Sequence, residues 1–266
     1  MKLKSGDTEI FYTVRGSGAP LVLLHPFPMN HRFWDDCALY LESRYQLITP
    51  DLRAHGESLP GEGAATMDKH AQDLLLLCNE LGIGKAMFAG VSIGGYVLFE
   101  FWRQSRDHVA ALVLSNTRAG ADSPEQRANR KKTIQDVQQR GPTPFIETTV
   151  PRMLSETTLR TRPDRVEAAR ALIARMSVKG IAAALEGMAA RPDSTPTLKT
   201  INVPTLMVAG DEDTLTPRAE AELMHAGIFG SRLEVVPKAG HCAAFEQPEY
   251  TGRILRGFLD GVEISN

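Results

Sequence analysis

The hexapeptide GVSIGG, residues 90–95, places a serine at the centre of a G-x-S-x-G pattern. A predicted strand, Ala86–Val91, precedes the serine and a predicted helix follows it, which is the context that gives this pattern chemical meaning. Small residues two positions before and after Ser92 remove the clashes of a sharp strand-to-helix turn. The pattern therefore predicts that Ser92 is a nucleophile exposed above the carboxyl edge of a sheet.

A serine hydroxyl is a poor nucleophile without a neighbouring base. Of the seven histidines, His241 is best placed, because it follows the last predicted strand on a loop that can reach across the sheet. The other histidines lie on separate predicted elements, and we predict no metal site.

The base in turn needs a carboxylate on its second ring nitrogen. The segment GDED, residues 210–213, follows a predicted strand and offers three acids. We predict that Asp213 orients the base, whereas Asp211 could instead hold the turn and Glu212 is expected to be solvated. The equivalent position after the preceding strand is Asn116, which has no charge to offer.

Attack on a carbonyl also requires donors for the oxyanion that forms. The backbone N–H of Ile93 is one candidate, because it begins the helix after the nucleophile. The second should come from the loop HPFP, residues 25–28. Its two prolines have no N–H, which leaves the amide of Phe27 as the predicted donor.

These residues need a scaffold that brings strand ends together. Short apolar runs closed by turn residues alternate with amphipathic segments, which predicts an α/β fold with a parallel sheet covered on both faces. The predicted strands are Ile10–Arg15, Pro20–Leu24, Tyr45–Thr49, Ala86–Val91, Val109–Ser115, Val203–Ala209 and Leu233–Val236. The predicted helices of this sheet layer include Thr66–Leu81, Thr216–Ala226 and Pro248–Leu259.

The alternation stops between residues 119 and 199, where helical patterns punctuated by glycine and proline replace strands. We predict a helical cap over residues 119–199, inserted into one catalytic domain formed by residues 1–118 and 200–266. Residues 118–199 hold 15 Lys and Arg against 9 Asp and Glu, a net charge of +6. This surplus could attract an anionic substrate, although solvated helix faces are the commoner reason for such charge.

The composition excludes several classes of protein. The chain has 266 residues, 42% of them hydrophobic, and a formal net charge of -2, which does not suit a nucleic-acid binder. No apolar run is long enough for a membrane span, and no signal peptide is recognisable at the start. Three scattered cysteines suit a reducing cytosol, so we expect a cytoplasmic location, and the oligomeric state is not readable.

Taken together, these residues resemble the α/β-hydrolase family over essentially the whole chain. The order Ser92, Asp213, His241 is the one that this family uses. The segment DLRAHGES, residues 51–58, is similar to the family's D-x-R-G-x-G-x-S loop with Ala54 in a glycine place, and HPFP is similar to its oxyanion loop with Pro26 in another. Within the family, the pattern looks most like the 3-oxoadipate enol-lactonase and carboxylesterase group.

The resemblance implies an eight-stranded, mostly parallel sheet with a helical cap, no metal and no organic cofactor. It also implies a serine hydrolase that acts on a small carboxylic ester or lactone. Two alternatives remain open: the same triad could serve carbon–carbon bond hydrolysis, acyl transfer or perhydrolysis, or the fold could be a non-catalytic ligand receptor. Apolar cap residues could line a pocket or form only the cap core: Phe145, Met153, Leu154, Met176 and Met188.

Overall fold

A computed structural model describes residues 1–264 and contains one eight-stranded sheet. The strands are β1 (Lys2–Ser5), β2 (Thr8–Arg15), β3 (Ala19–Leu24), β4 (Tyr45–Pro50), β5 (Ala86–Val91), β6 (Val109–Ser115), β7 (Thr205–Gly210) and β8 (Arg232–Val236). Their order is β1-β2-β4-β3-β5-β6-β7-β8, in which the β1–β2 and β2–β4 pairs are antiparallel and the other five pairs are parallel. The predicted α/β-hydrolase fold with an eight-stranded, mostly parallel sheet is confirmed.

Twelve α-helices and two short 3-10 helices connect these strands in the described chain. The α-helices are α1 (Asp35–Ala38), α2 (Met67–Glu80), α3 (Ile93–Ser105), α4 (Pro124–Arg140), α5 (Thr143–Met153), α6 (Glu156–Thr161), α7 (Pro163–Ile173), α8 (Val178–Ala189), α9 (Thr195–Leu198), α10 (Arg218–Gly227), α11 (Ala243–Glu246) and α12 (Pro248–Leu259). The 3-10 helices span His31–Trp34 and Arg106–His108. None of the helices described is long and apolar enough to cross a bilayer.

Both faces of the sheet are buried, as the continuous apolar strands predict. Strand β3 illustrates this arrangement, because successive side chains point to opposite faces. Val22 and Leu24 pack into a core with α2 and α3, whereas Leu21 and Leu23 pack into a second core with α1 and α12. The central strands therefore have no solvated face, and only their carboxyl ends are available for polar side chains.

The helices α4–α9 occupy residues 119–199, between β6 and β7, and no strand is described in this segment. They contact loops that follow several strands. The Ala65 N–H donates to the Ala183 carbonyl oxygen at 2.9 Å, and the Asn30 side chain donates to the Leu172 carbonyl oxygen at 3.2 Å. The Thr157 hydroxyl and N–H donate to Glu212 at 2.6 and 3.0 Å. The helical segment thus lies over the carboxyl edge of the sheet.

The turn between β5 and α3 is among the most crowded points of this edge. Ser92, at its centre, has φ 55° and ψ -112°, a conformation that L-residues rarely adopt. A Cβ on Gly90 would lie 2.5 Å from the Gly94 carbonyl carbon, and one on Gly94 would lie 2.9 Å from the Leu24 Cβ. The glycines of the sequence pattern are therefore required by backbone packing between β5, α3 and β3.

The Gly94→Ala substitution tests this packing. We expect it to lower the free energy of unfolding by about 1–3 kcal/mol, because a new methyl group must displace the β3 backbone. Gly84→Ala is the matched control, since no described heavy atom lies within 4 Å of its added Cβ. Urea denaturation of both variants measures the difference, and equal stabilities would contradict the packing argument.

Three buried histidines should make the stability of the protein depend on pH. Burial lowers the pKa of His25 to about 3, that of His55 to about 4, and that of His70 well below 6.5. The unfolded chain, with histidine pKa values near 6.5, therefore binds protons that the folded chain does not. The free energy of unfolding should fall as the pH is lowered from about 7 to 5, at up to about 1.4 kcal/mol per pH unit for each histidine.

His70→Leu should make the free energy of unfolding depend less steeply on pH, by the contribution of one histidine. Neither ring nitrogen of His70 has a hydrogen-bond partner among residues 1–264, so leucine removes the titrating group without leaving a polar partner behind. Denaturant titrations of both proteins between pH 7 and 5 provide the measurement. Parallel slopes for wild type and variant would show that His70 does not titrate as described.

Candidate active site

Hydrogen bonds to its backbone N–H and carbonyl oxygen hold Ser92 in place in the β5–α3 turn. The Ser92 N–H donates to the Ser115 carbonyl oxygen at 3.0 Å, which ties the turn to the end of β6. The Ser92 carbonyl oxygen accepts from the Gly95 N–H at 2.9 Å and from the Thr117 hydroxyl at 2.8 Å. These contacts leave the Ser92 side chain facing the cavity beneath the helical segment.

The structure brings Asp213 and His241 into direct contact from the loops after β7 and β8. The Asp213 Oδ2 lies 2.9 Å from the His241 Nδ1, and both side chains are buried. A carboxylate can only accept a hydrogen bond, so Nδ1 carries the proton and Nε2 is the ring's acceptor. His241 and Ser92 both line the same cavity, so the structure brings the Asp213–His241 pair and Ser92 to one cavity.

The Asp213 carboxylate receives more donors than the histidine alone. Oδ2 accepts from the Thr216 hydroxyl at 2.7 Å and from the Asn116 amide at 3.0 Å. Oδ1 accepts from the N–H groups of Leu215 at 2.8 Å and Thr216 at 3.0 Å. Burial alone would raise the pKa of Asp213, but the attraction of His241 and these hydrogen bonds outweigh it, and the pKa lies well below its usual range.

The two other acids of the GDED segment have different partners. Asp211 accepts from the Ala239 N–H at 3.3 Å and so helps to hold the loops after β7 and β8 together. Glu212 is half-buried, and its carboxylate also accepts two hydrogen bonds from Thr157 at the beginning of α6, which the sequence did not predict. Glu212 thus fastens the helical segment to the sheet.

The predicted oxyanion donors flank the same cavity. Phe27 lines the cavity, and Ile93 is the first residue of α3. The HPFP loop is anchored by His25, whose Nε2 accepts from the Leu52 N–H at 2.9 Å. Among residues 1–264, neither the Phe27 nor the Ile93 N–H has a protein acceptor, so both amides are available to a ligand.

The cavity above Ser92 has a volume of about 270 Å³. Its apolar wall includes Phe145, Met153 and Met188 from the helical segment, three of the five residues that sequence analysis offered as either lining or core. Leu154 and Met176 are buried in the hydrophobic cores and do not line the cavity. No group of three or more His, Cys, Asp or Glu is arranged to hold a metal ion in the part of the chain that the structure describes.

Sequence reasoning missed two polar partners of Asp213. Asn116 was set aside because it has no charge, yet its amide donates to Asp213 and also to the Gly240 carbonyl oxygen at 3.1 Å. Thr216 was recognised only as the start of a helix. Only the positions of these two residues in the sequence could have indicated their role. Asn116 directly follows β6, and Thr216 closely follows the GDED segment after β7.

Comparison with known proteins gives the same fold. A thermophilic esterase from Thermogutta terrifontis, solved with malate bound, is 40% identical and has a TM-score of 0.94 over 98% of this chain and 97% of its own. The enol-lactonase from Burkholderia xenovorans LB400 is 23% identical, with a TM-score of 0.91 over 98% of this chain and 100% of its own, which shows a likeness of fold.

The sequence is also 27% identical over 249 residues to 3-oxoadipate enol-lactonase 2 from Acinetobacter baylyi, an alignment that covers 93% of this chain and 91% of that protein. A family model for the alpha/beta hydrolase fold matches residues 19–248, which is most of the chain. On this match and on the sheet described above, the chain belongs to the alpha/beta hydrolase family.

Proposed function

We propose that this chain is a serine hydrolase that cleaves a carboxylic ester or lactone through an acyl-enzyme. One observation carries the proposal: a buried Asp213–His241 pair, 2.9 Å between Oδ2 and Nδ1, opens into the same cavity as the strained Ser92. A nucleophile, its base and an orienting carboxylate are the groups that acyl transfer by serine requires.

In this mechanism Ser92 Oγ attacks the substrate carbonyl carbon while His241 Nε2 accepts its proton. The low pKa of Asp213 keeps that carboxylate ionised, so that it holds the imidazole in one tautomer and stabilises the imidazolium. The imidazolium then protonates the departing alcohol or enol oxygen. His241 next takes a proton from a water molecule as that water attacks the acyl carbonyl carbon. The resulting intermediate releases the acid as the bond to Ser92 Oγ breaks, and the His241 imidazolium returns the proton to Ser92 Oγ.

The tetrahedral intermediates carry a negative oxygen that must be stabilised. We assign this role to the N–H groups of Phe27 and Ile93, which have no protein acceptor within residues 1–264. The Ile93 amide also lies at the N-terminus of α3, where the helix dipole favours negative charge. The prolines on both sides of Phe27 supply no competing N–H.

The names of similar proteins support the ester and lactone class. The Thermogutta terrifontis relative is an esterase, and the Acinetobacter baylyi relative is an enol-lactonase, an enzyme for an internal ester. Esters and lactones both offer an acyl carbonyl carbon to a serine nucleophile. The alcohol leaves an ester as a separate molecule, whereas the oxygen released from a lactone remains part of the acyl group's own molecule. The serine at the centre of the β5–α3 turn suits either one.

Ser92→Ala tests the proposal. We expect the kcat/KM for a short 4-nitrophenyl ester to fall by about four orders of magnitude, because no other group can form the acyl-enzyme. Ser105→Ala is the control at the far end of the same helix and should retain wild-type activity. Turnover by Ser92→Ala near the wild-type rate, with both variants folded, would overturn the assignment.

Thr216 offers a test of the support around Asp213. Thr216→Val keeps the shape of the side chain and removes the hydroxyl that lies 2.7 Å from the Asp213 Oδ2. We expect the kcat/KM to fall by about tenfold, the effect of one hydrogen bond to a charged group. Thr216→Ser restores the hydroxyl and should restore most of the activity, whereas equal losses in both variants would contradict a role for the hydrogen bond.

A further inference from the structure

The cavity above Ser92 has a strongly asymmetric charge. Three of its lining residues are arginines, Arg118 after β6, Arg130 on α4 and Arg152 on α5. Within residues 1–264, no aspartate or glutamate lines the cavity. A low-dielectric cleft lined by one sign of charge concentrates its field on whatever enters, and here the field favours an anion.

A buried carboxylate organises this cationic wall without neutralising it. Asp122 is 4% exposed, and its two oxygens accept from Arg130 Nε at 2.5 Å, Arg191 Nη1 at 2.7 Å and Arg118 Nη2 at 3.2 Å. Three guanidinium groups share one carboxylate, so the cluster keeps a net charge of +2. The Arg191 guanidinium also stacks on the Tyr96 ring at 4.1 Å, which holds the cluster against α3.

Two of the cavity arginines have hydrogen-bonding capacity that the described protein does not use. Arg118 makes one hydrogen bond, from its Nη2 to Asp122, and its Nη1 has no acceptor among residues 1–264. Arg152 has no ion-pair partner in the same part of the chain and is exposed at the cavity wall. Guanidinium groups bind carboxylates well because their N–H groups form a fixed fork.

We propose that the substrate carries a carboxylate in addition to the ester or lactone that Ser92 attacks, and that Arg118 and Arg152 bind it. Arg130, held by Asp122, supplies further positive charge to the same wall. The inference rests on the proposed function, and it goes beyond it by assigning substrate selection to named side chains. The 270 Å³ of the cavity suits a small acid ester rather than a long acyl chain.

Two pairs of esters test the proposal, each pair matched in shape. In the first, mono-4-nitrophenyl adipate is compared with 4-nitrophenyl 6-methylheptanoate, in which an isopropyl end replaces the carboxylate. In the second, 4-carboxyphenyl butyrate is compared with 4-isopropylphenyl butyrate, which moves the charge to the leaving group. Rates with Ser92→Ala give the background for all four esters.

We expect wild type to prefer the acid member of at least one pair by about tenfold or more in kcat/KM, the effect of one charge-assisted hydrogen bond. Arg152→Gln should remove most of this preference, and raised salt should weaken it. Arg127→Gln is the control, because Arg127 is exposed on the same helix as Arg130, does not line the cavity and changes the charge equally.

The outcomes separate this inference from the proposed function. If wild type hydrolyses the neutral esters with no preference for the acids in either pair, or if Arg127→Gln loses the preference as fully as Arg152→Gln, the carboxylate inference is overturned while the serine hydrolase stands. If none of the four esters is hydrolysed faster by wild type than by Ser92→Ala, the proposed function itself fails.

Discussion

The buried carboxylate of Asp213 imposes the strictest requirement on this structure. An ionised group under a helical layer is costly unless donors surround it, and Asp213 accepts from His241, Thr216, Asn116 and the Leu215 N–H. These donors come from loops after three adjacent parallel strands, β6, β7 and β8. The register of those strands therefore determines where the carboxylate, the imidazole and, one strand further, Ser92 can meet.

The sequence predicted the parts of this arrangement that local pattern controls. The glycines around Ser92 follow from a tight strand-to-helix turn, and continuous apolar runs identify the buried strands. The short polar strand β1 was missed, because KLKS lies at the sheet edge and has neither an apolar run nor a clear alternation. The short helices α1, α6, α9 and α11 were missed for a similar reason, since four to six residues carry too little periodicity.

Contacts between distant residues lay beyond the sequence. Asn116 reaches Asp213 across 97 positions and Glu212 reaches Thr157 across 55, and no local spacing encodes either pair. The charge of residues 118–199 shows the same limit. A net of +6 over residues 118–199 does not reveal that Arg118, Arg130 and Arg152 line one cavity. It also does not reveal that Asp122 is buried and ion-paired with two of these arginines. Both buried carboxylates are stabilised by their surroundings. Asp213 is surrounded by hydrogen-bond donors, and Asp122 is surrounded by three guanidinium groups.

The central claim is that Ser92 is a nucleophile activated by His241 and Asp213. Reaction with a fluorophosphonate followed by peptide mapping tests it most directly, because the probe bonds covalently to an activated serine whatever the natural substrate is. The account predicts a single adduct on the peptide that contains Ser92, lost in His241→Ala. No adduct on the folded protein, or an adduct on another residue, would contradict it.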